Sequence, residues 1–210
     1  MLIVCWSAKG GSGTTVVATA LALASGHPVT LIDLAGDVSP TLGVPEPPGP
    51  GVHDWLASVD TGPEALDRLA GTVGPGVRLL PAGRRRDPVP DAAWDRLAGA
   101  ARTFADVTIV DAGTGSPPRP LTDAADRVLL VTRSCFLSLR RAASSPVRPS
   151  GIVLVTEPGR TLRSADVERA VSAPVVAEIA WDPAIARAVD AGLLAGRPPR
   201  SLLQSLRGLT

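Results

Sequence analysis

A chain of 210 residues, 45% apolar and 20% charged, can bury one sizeable core and is too short for two ordinary domains. Its formal net charge of +1 excludes a protein that coats nucleic acid by bulk electrostatics and leaves room only for local basic patches. The composition is not that of a disordered chain, and no apolar run reaches the ~18 residues needed to cross a bilayer.

The opening run Leu2-Ile3-Val4-Cys5-Trp6 follows no basic segment and is too short for a signal peptide, so it predicts a first strand over 2–6. A glycine cluster comes next, then a helix over 14–25 and a strand over 29–33. Helices are predicted over 51–59 and 63–71, a strand over 77–81, and a helix over 90–103. Strands at 107–111, 128–132 and 152–155 follow, then a helix at 162–171, a strand at 175–179 and helices at 183–191 and 201–206. Pro63, Pro90 and Pro183 suit a first helical turn, where a missing N–H breaks no bond, and Asp182 is a ready N-cap. Several strands are apolar on consecutive residues, as expected of strands covered on both faces. The expected fold is therefore a single α/β domain over 1–210: three layers, with a mostly parallel central sheet of about seven or eight strands flanked by helices.

Loops at 44–51, 81–90 and 114–120 are too rich in Pro and Gly for regular structure. The run Arg84-Arg85-Arg86 lies in the second and reads as a solvated loop, with a DNA or lipid-headgroup contact as the alternative. Cys5 and Cys135 form no C-x-x-C pair and sit in apolar stretches; buried thiols and a cytoplasmic setting are expected. Leu202, Leu203, Leu206 and Leu209 share one helical face beside Arg200 and Arg207, expected to pack on the domain, with membrane attachment as the alternative.

The chemistry concentrates in Ala8-Lys9-Gly10-Gly11-Ser12-Gly13-Thr14-Thr15, between the first strand and first helix. Glycines admit positive φ and let several backbone N–H groups converge on one anion, and the helix start adds partial positive charge. Thr15 can offer a hydroxyl to a Mg2+ ion riding on phosphates. Lys9 is the only lysine beside 20 arginines, and it falls in these eight of 210 positions. A slim ammonium suits a crowded phosphate site better than a planar guanidinium.

These residues resemble the deviant Walker A motif of the ParA/MinD family of P-loop ATPases, K-G-G-x-G-K-[ST]. Lys9, Gly10, Gly11, Gly13 and Thr15 match, while Thr14 stands where that family has its P-loop lysine, a departure shared with the CpaE/TadZ-like branch. The resemblance implies a P-loop NTPase fold, with ATP and Mg2+ as cofactors and nucleotide contacts from Lys9 to Thr15. It further implies a switch I carboxylate at Asp33, a Walker B carboxylate at Asp111, and a base contact at Thr156, where the family has asparagine. Thr15, Asp33 and Asp111 would serve the metal, the carboxylates through bound water, and Lys9 and Asp33 the catalysis. In the family, ATP joins two subunits and the signature lysine reaches across, so Lys9 implies a nucleotide-dependent homodimer. Residues 151–156 and 179–183, with Ala188 to Gly192, resemble the family's late strand and closing helix.

Two departures lower the expected hydrolysis. The family's D-x-D becomes Asp33-Leu34-Ala35, and Ala35 cannot orient water, although Asp37 follows two residues on. Loss of the P-loop lysine removes a charge pair worth about 4 kcal/mol at 4 Å in an effective dielectric near 20. Dropping one such group costs on the order of 10²–10³ in rate. The expected function is an ATP-binding positioning switch that localises a pilus, secretion or envelope apparatus through a protein partner, in the cytoplasm or peripheral to the inner face of the membrane. Alternatives are an active partitioning or division-site ATPase that meets DNA or membrane, a scaffold without nucleotide, and a Rossmann dinucleotide site built on Gly11, Gly13 and Asp33. Iron–sulfur and Ser–His–Asp chemistry are excluded: Cys5 lies within a strand, and His27 and His53 have no nucleophile context.

Overall fold

Strand runs that are apolar on consecutive residues bury every side chain, which requires cover on both faces of the sheet. A computed structural model describing residues 1–104 and 106–210 shows this arrangement. Eight strands share one sheet: β1 (Leu2–Ser7), β2 (Val29–Asp33), β3 (Gly71–Gly74), β4 (Val77–Leu80), β5 (Val107–Thr114), β6 (Arg127–Arg133), β7 (Gly151–Thr156) and β8 (Val175–Ala180). Their order is β3-β4-β2-β5-β1-β6-β7-β8, parallel except for the β3–β4 hairpin at one edge. The three-layer architecture with its mostly parallel sheet is the one expected.

One face of the sheet carries α1 (Thr14–Ala24), α2 (Val38–Leu42), α9 (Pro183–Asp190) and α10 (Arg200–Leu206). The other carries α3 (Val52–Leu56), α4 (Pro63–Asp67), α5 (Asp91–Ala101) and α6 (Arg119–Ala124), and, toward β7, α7 (Phe136–Ala143) and α8 (Ser164–Val171). Helix α1, TTVVATALALA, is apolar nearly all round because the sheet and α10 enclose it. Leu202, Leu206 and Leu209 are buried in that same cluster with Leu203 packed against it, so the leucine face of α10 is spent on the core. Among the described residues, no helix is long and apolar enough to cross a membrane.

Several expectations are corrected. The predicted helix 63–71 ends at Asp67, and Gly71–Gly74 turns back through Gly76 to make the edge strand β3. Helices α2, α6 and α7 emerge where no helix was expected; α2 follows the Asp33–Asp37 turn directly, and α6 begins at Arg119 within the supposed loop 114–120. Pro90 caps α5 from outside instead of opening it. Cys5 is buried as expected, but Cys135 is partly exposed as the residue before α7, where the Ser138 N–H foremost lowers its pKa against the opposing effect of burial.

Strand β5 outruns its predicted end because Asp111 is followed by an irregularity and not a turn. Cys5 pairs with Asp111 but Ser7 with Thr114, so β5 carries one extra residue there, with Gly113 at φ 66. Such bulges re-aim side chains beside functional sites, and this one lies under the glycine loop: a Cβ at Gly10 would touch the Thr114 hydroxyl.

Candidate functional site

Strand β1 ends at Ser7 and the chain turns through Lys9–Gly13 into α1. Gly11 (φ 77) and Gly13 (φ 91) take left-handed backbone that an L side chain rarely adopts. A Cβ at either would meet nothing within 4 Å, so conformation, and not crowding within the fold, selects glycine. The Ser12 hydroxyl donates to Lys9 O at 2.8 Å and closes the loop. Gly13 caps α1 without a side-chain bond, and the first turn holds no acidic residue, which leaves the opening N–H groups available to an anion.

Two cavities meet at this loop, sharing Gly11, Ser12, Gly13 and Val16. One, of about 480 Å³, is also lined by Thr14, Thr15, Leu34, Ala35, Asp37 and the β5 bulge from Ala112 to Thr114. The other, of about 510 Å³, runs apolar between β7, β8 and α9, with Arg133, Val155, Ile179, Trp181, Ile185 and Val189 in its wall. A helix N-terminus thus opens between a polar basin and an apolar slot. That division suits a ligand with a phosphate end and a flat organic end.

The carboxylates differ in what they do. Asp33 and Asp111 are cross-strand partners in β2 and β5, and both are buried. Asp33 Oδ1 accepts from Ala35 N (3.0 Å) and Gly36 N (2.7 Å), and Oδ2 from Val38 N (3.1 Å). It builds its own loop. Burial raises its pKa and those three N–H groups pull it back. Both oxygens hold the turn that presents Ala35 and Asp37 to the basin. Asp37, noted in the sequence only as a neighbour, is the exposed carboxylate in the phosphate basin.

Asp111 is wholly buried, and its Oδ1 accepts from Gly113 N at 3.0 Å. Oδ2 is buried and has no partner among the described residues. Burial pushes its pKa up to about 6, and Thr15 and Gly113 pull it partly back. A buried carboxylate with one unpartnered oxygen, beside Thr15 and the polar basin that Thr15 lines, fits a hydrated Mg2+. No cluster of three or more His, Cys, Asp or Glu occurs among the described residues.

Of the other expected site residues, Gly11 to Thr15 line the cavities, Thr14 buried at the first helical position. Lys9 Nζ folds back on Gly10 O at 3.3 Å and joins neither wall. Thr156 donates its hydroxyl to Ile179 O (3.4 Å), so the slot beside it is walled by Val155, Trp181 and Arg133 instead. Arg133 was missed, and Trp181 was noted only as part of the 179–183 segment and given no site role: an arginine at a strand end and a lone tryptophan carry no motif of their own. The Arg84–Arg86 run is exposed, with Arg85 paired to Asp87 (2.9 Å) and Arg86 donating to Gly83 O (2.9 Å).

The topology excludes the Rossmann alternative. There the acidic residue follows the strand adjacent to the first, but β2 is separated from β1 by β5, and the Asp33 oxygens are engaged.

No protein-family model matches the chain, and no curated protein matches it in sequence. Solved structures do match over nearly the full length. A ParA family ATPase from Chlorobium tepidum aligns with TM-score 0.75 and 22% identity over 98% of this chain and 96% of that one. The MinD cell division protein of Aquifex aeolicus aligns with TM-score 0.78 and 19% identity, over 99% and 96%. The septum site-determining protein MinD of Pyrococcus horikoshii, complexed with Mg-ADP, gives 0.75 and 19%, over 98% and 92%. At these identities the likeness establishes the fold, that of ParA/MinD ATPases.

Proposed function

We propose that the chain binds ATP with Mg2+ across the glycine loop and acts as a positioning switch of the CpaE/TadZ sort, turning ATP over slowly or not at all. The observation that carries the reading is the junction of two cavities at an uncapped helix start, above a buried Asp111 oxygen that lacks a partner. The backbone of Gly11–Thr15 would hold the phosphates, and Thr15 and Asp111 the hydrated metal, whose charge offsets that of the phosphates. No lysine stands at Thr14 and no carboxylate at Ala35, so positioning for hydrolysis is poor. The Mg-ADP described for the Pyrococcus MinD supports the choice of ligand. By the resemblance in the glycine loop, the switch would serve a pilus, secretion or envelope apparatus through a protein partner, from the cytoplasm or the inner membrane face.

The Lys9 ammonium donates an exposed hydrogen bond to its own loop at Gly10 O, in a position to reach a second copy. Calorimetry is expected to show one ATP bound per chain in the presence of Mg2+, and light scattering a doubled mass. Lys9→Ala should keep the protein folded and lose the doubling. An unchanged mass with ATP, or doubling that survives Lys9→Ala, rules out the bridged dimer, and a flat titration rules out the switch.

One observation favours an active partitioning or division-site ATPase instead: Asp37 faces the phosphate basin with Ala35. If Asp37 orients the attacking water, ATP turnover stimulated by DNA or anionic vesicles should be measurable. Asp37→Asn should then cut it by about 10²-fold, the scale for loss of one positioning group. Wild-type turnover at background leaves the switch.

A further inference from the structure

We infer that Arg133 and Trp181 form a stacking platform for the nucleobase in the apolar slot, replacing the base contact expected at Thr156; the inference rests on the nucleotide-binding reading above. The Arg133 guanidinium lies over the Trp181 ring, its Cζ 5.1 Å from the centroid. Two flat groups, one cationic and one aromatic, are thereby joined in the wall of the cavity that starts at Gly11–Gly13.

The pair is held from behind. Arg133 Nη1 donates to Glu157 Oε1 at 2.8 Å, and Arg160 also pairs with Glu157. Arg160 foremost, with Arg133 behind it, holds the Glu157 carboxyl below its usual pKa, so it stays ionised. Trp181 N donates to Thr156 O at 2.7 Å, fixing the backbone from which the indole projects. Despite these ties, Trp181 remains 45% exposed, large for an indole with apolar neighbours. Arg133 Nε is buried with no partner among the described residues. The indole thus carries a cation on one side and still keeps open surface at the slot, and a heteroaromatic base supplies a π face to stack on the pair.

The wall of the slot also includes Val155, Ile179, Ile185 and Val189, so a base entering it meets methyl groups as well as the platform. Stacking on aromatic side chains tolerates every base, so purine size, and not a hydrogen-bond code, sets the preference. Thr156 donates to Ile179 O and takes no part.

The test compares ATP with inorganic triphosphate, which lacks the base, each with Mg2+, by calorimetry and tryptophan fluorescence. Wild type should bind ATP at least tenfold more tightly than triphosphate and lose emission on binding ATP alone. Trp181→Ala and Arg133→Ala should each reduce that preference about tenfold while leaving triphosphate affinity unchanged. Trp181→Phe, which keeps a ring, should retain most ATP affinity and lose the emission change, marking Trp181 as the reporter among four tryptophans. ATP affinity unchanged in both alanine variants, or an emission change that survives Trp181→Phe, overturns the platform while nucleotide binding stands. Failure of wild type to bind either ligand overturns both.

Discussion

Asp111→Asn is expected to abolish Mg2+-dependent nucleotide binding while raising the melting temperature of the ligand-free protein. The two effects share one cause. Asp111 has no exposed surface, and burial has moved its pKa from 3.8 to about 6. A carboxyl with a raised folded pKa stabilises the fold fully below the unfolded value, and this is lost as pH rises through the folded one. As pH rises from about 4 to 6 its ionisation therefore progressively destabilises the ligand-free protein, by on the order of 3 kcal/mol once neutral pH is reached. Asparagine keeps the shape and an oxygen for Gly113 N, and removes the charge. A gain of several degrees follows for a chain of this size. Metal-assisted binding needs the ionised form and should weaken below about pH 6 in the wild type. Calorimetry with ATP across pH 5–8, with and without Mg2+, and thermal melts of both proteins check this. A variant that melts lower and still responds to Mg2+ would make Asp111 a structural residue only.

Gly43→Ala should cost more stability than any substitution in the glycine loop. Gly43 ends α2 at φ 77, and an added Cβ would fall inside the contact radius of the Gly192 carbonyl, backbone against backbone. Neither segment has a flexible side chain that could give way. Strain at positive φ and the clash together exceed about 3 kcal/mol, lowering the melting temperature by some 6–12 °C. Gly99→Ala is the control: it lies exposed within α5, meets nothing within 4 Å, and should be neutral or stabilising by up to about 1 kcal/mol. The seam joins the end of the segment that carries Asp37 to the turn after α9, which walls the base slot, so mild strain there should disturb both cavities. Equal melts for the two alanine variants would show that the seam yields freely.

The sheet was legible because burial on both faces leaves a plain record: consecutive β-branched residues between glycine and proline turns. The glycine loop was legible because positive φ and a lone lysine are compositional. What escaped notice depends on tertiary context. Strand β3 is four residues with glycine at both ends and exists only because β4 offers it an edge. Helix α2, VSPTL, carries a proline and is too short to hold by propensity; the Asp33 carboxylate organises the turn leading into it. Within the site, the cavity linings of Thr14 and Thr15 were readable, whereas the inward commitment of Asp33 was not, since a strand-ending aspartate looks the same whether it faces solvent, a metal or its own amides. Arg133 and Trp181 are 48 positions apart in the chain (181 − 133) and meet only through the β6–β7–β8 register.

The placement of β1 bears on how the molecule is made. Leu2 pairs with Thr108 and Ile3 with Arg127, so the strand that delivers the glycine loop has no neighbour in the sheet until β5, about a hundred residues on, has been synthesised. During translation the amino-terminal segment waits as an unpaired hydrophobic ribbon, and its anion cradle depends on distant partners, a high sequence separation of the kind that slows folding.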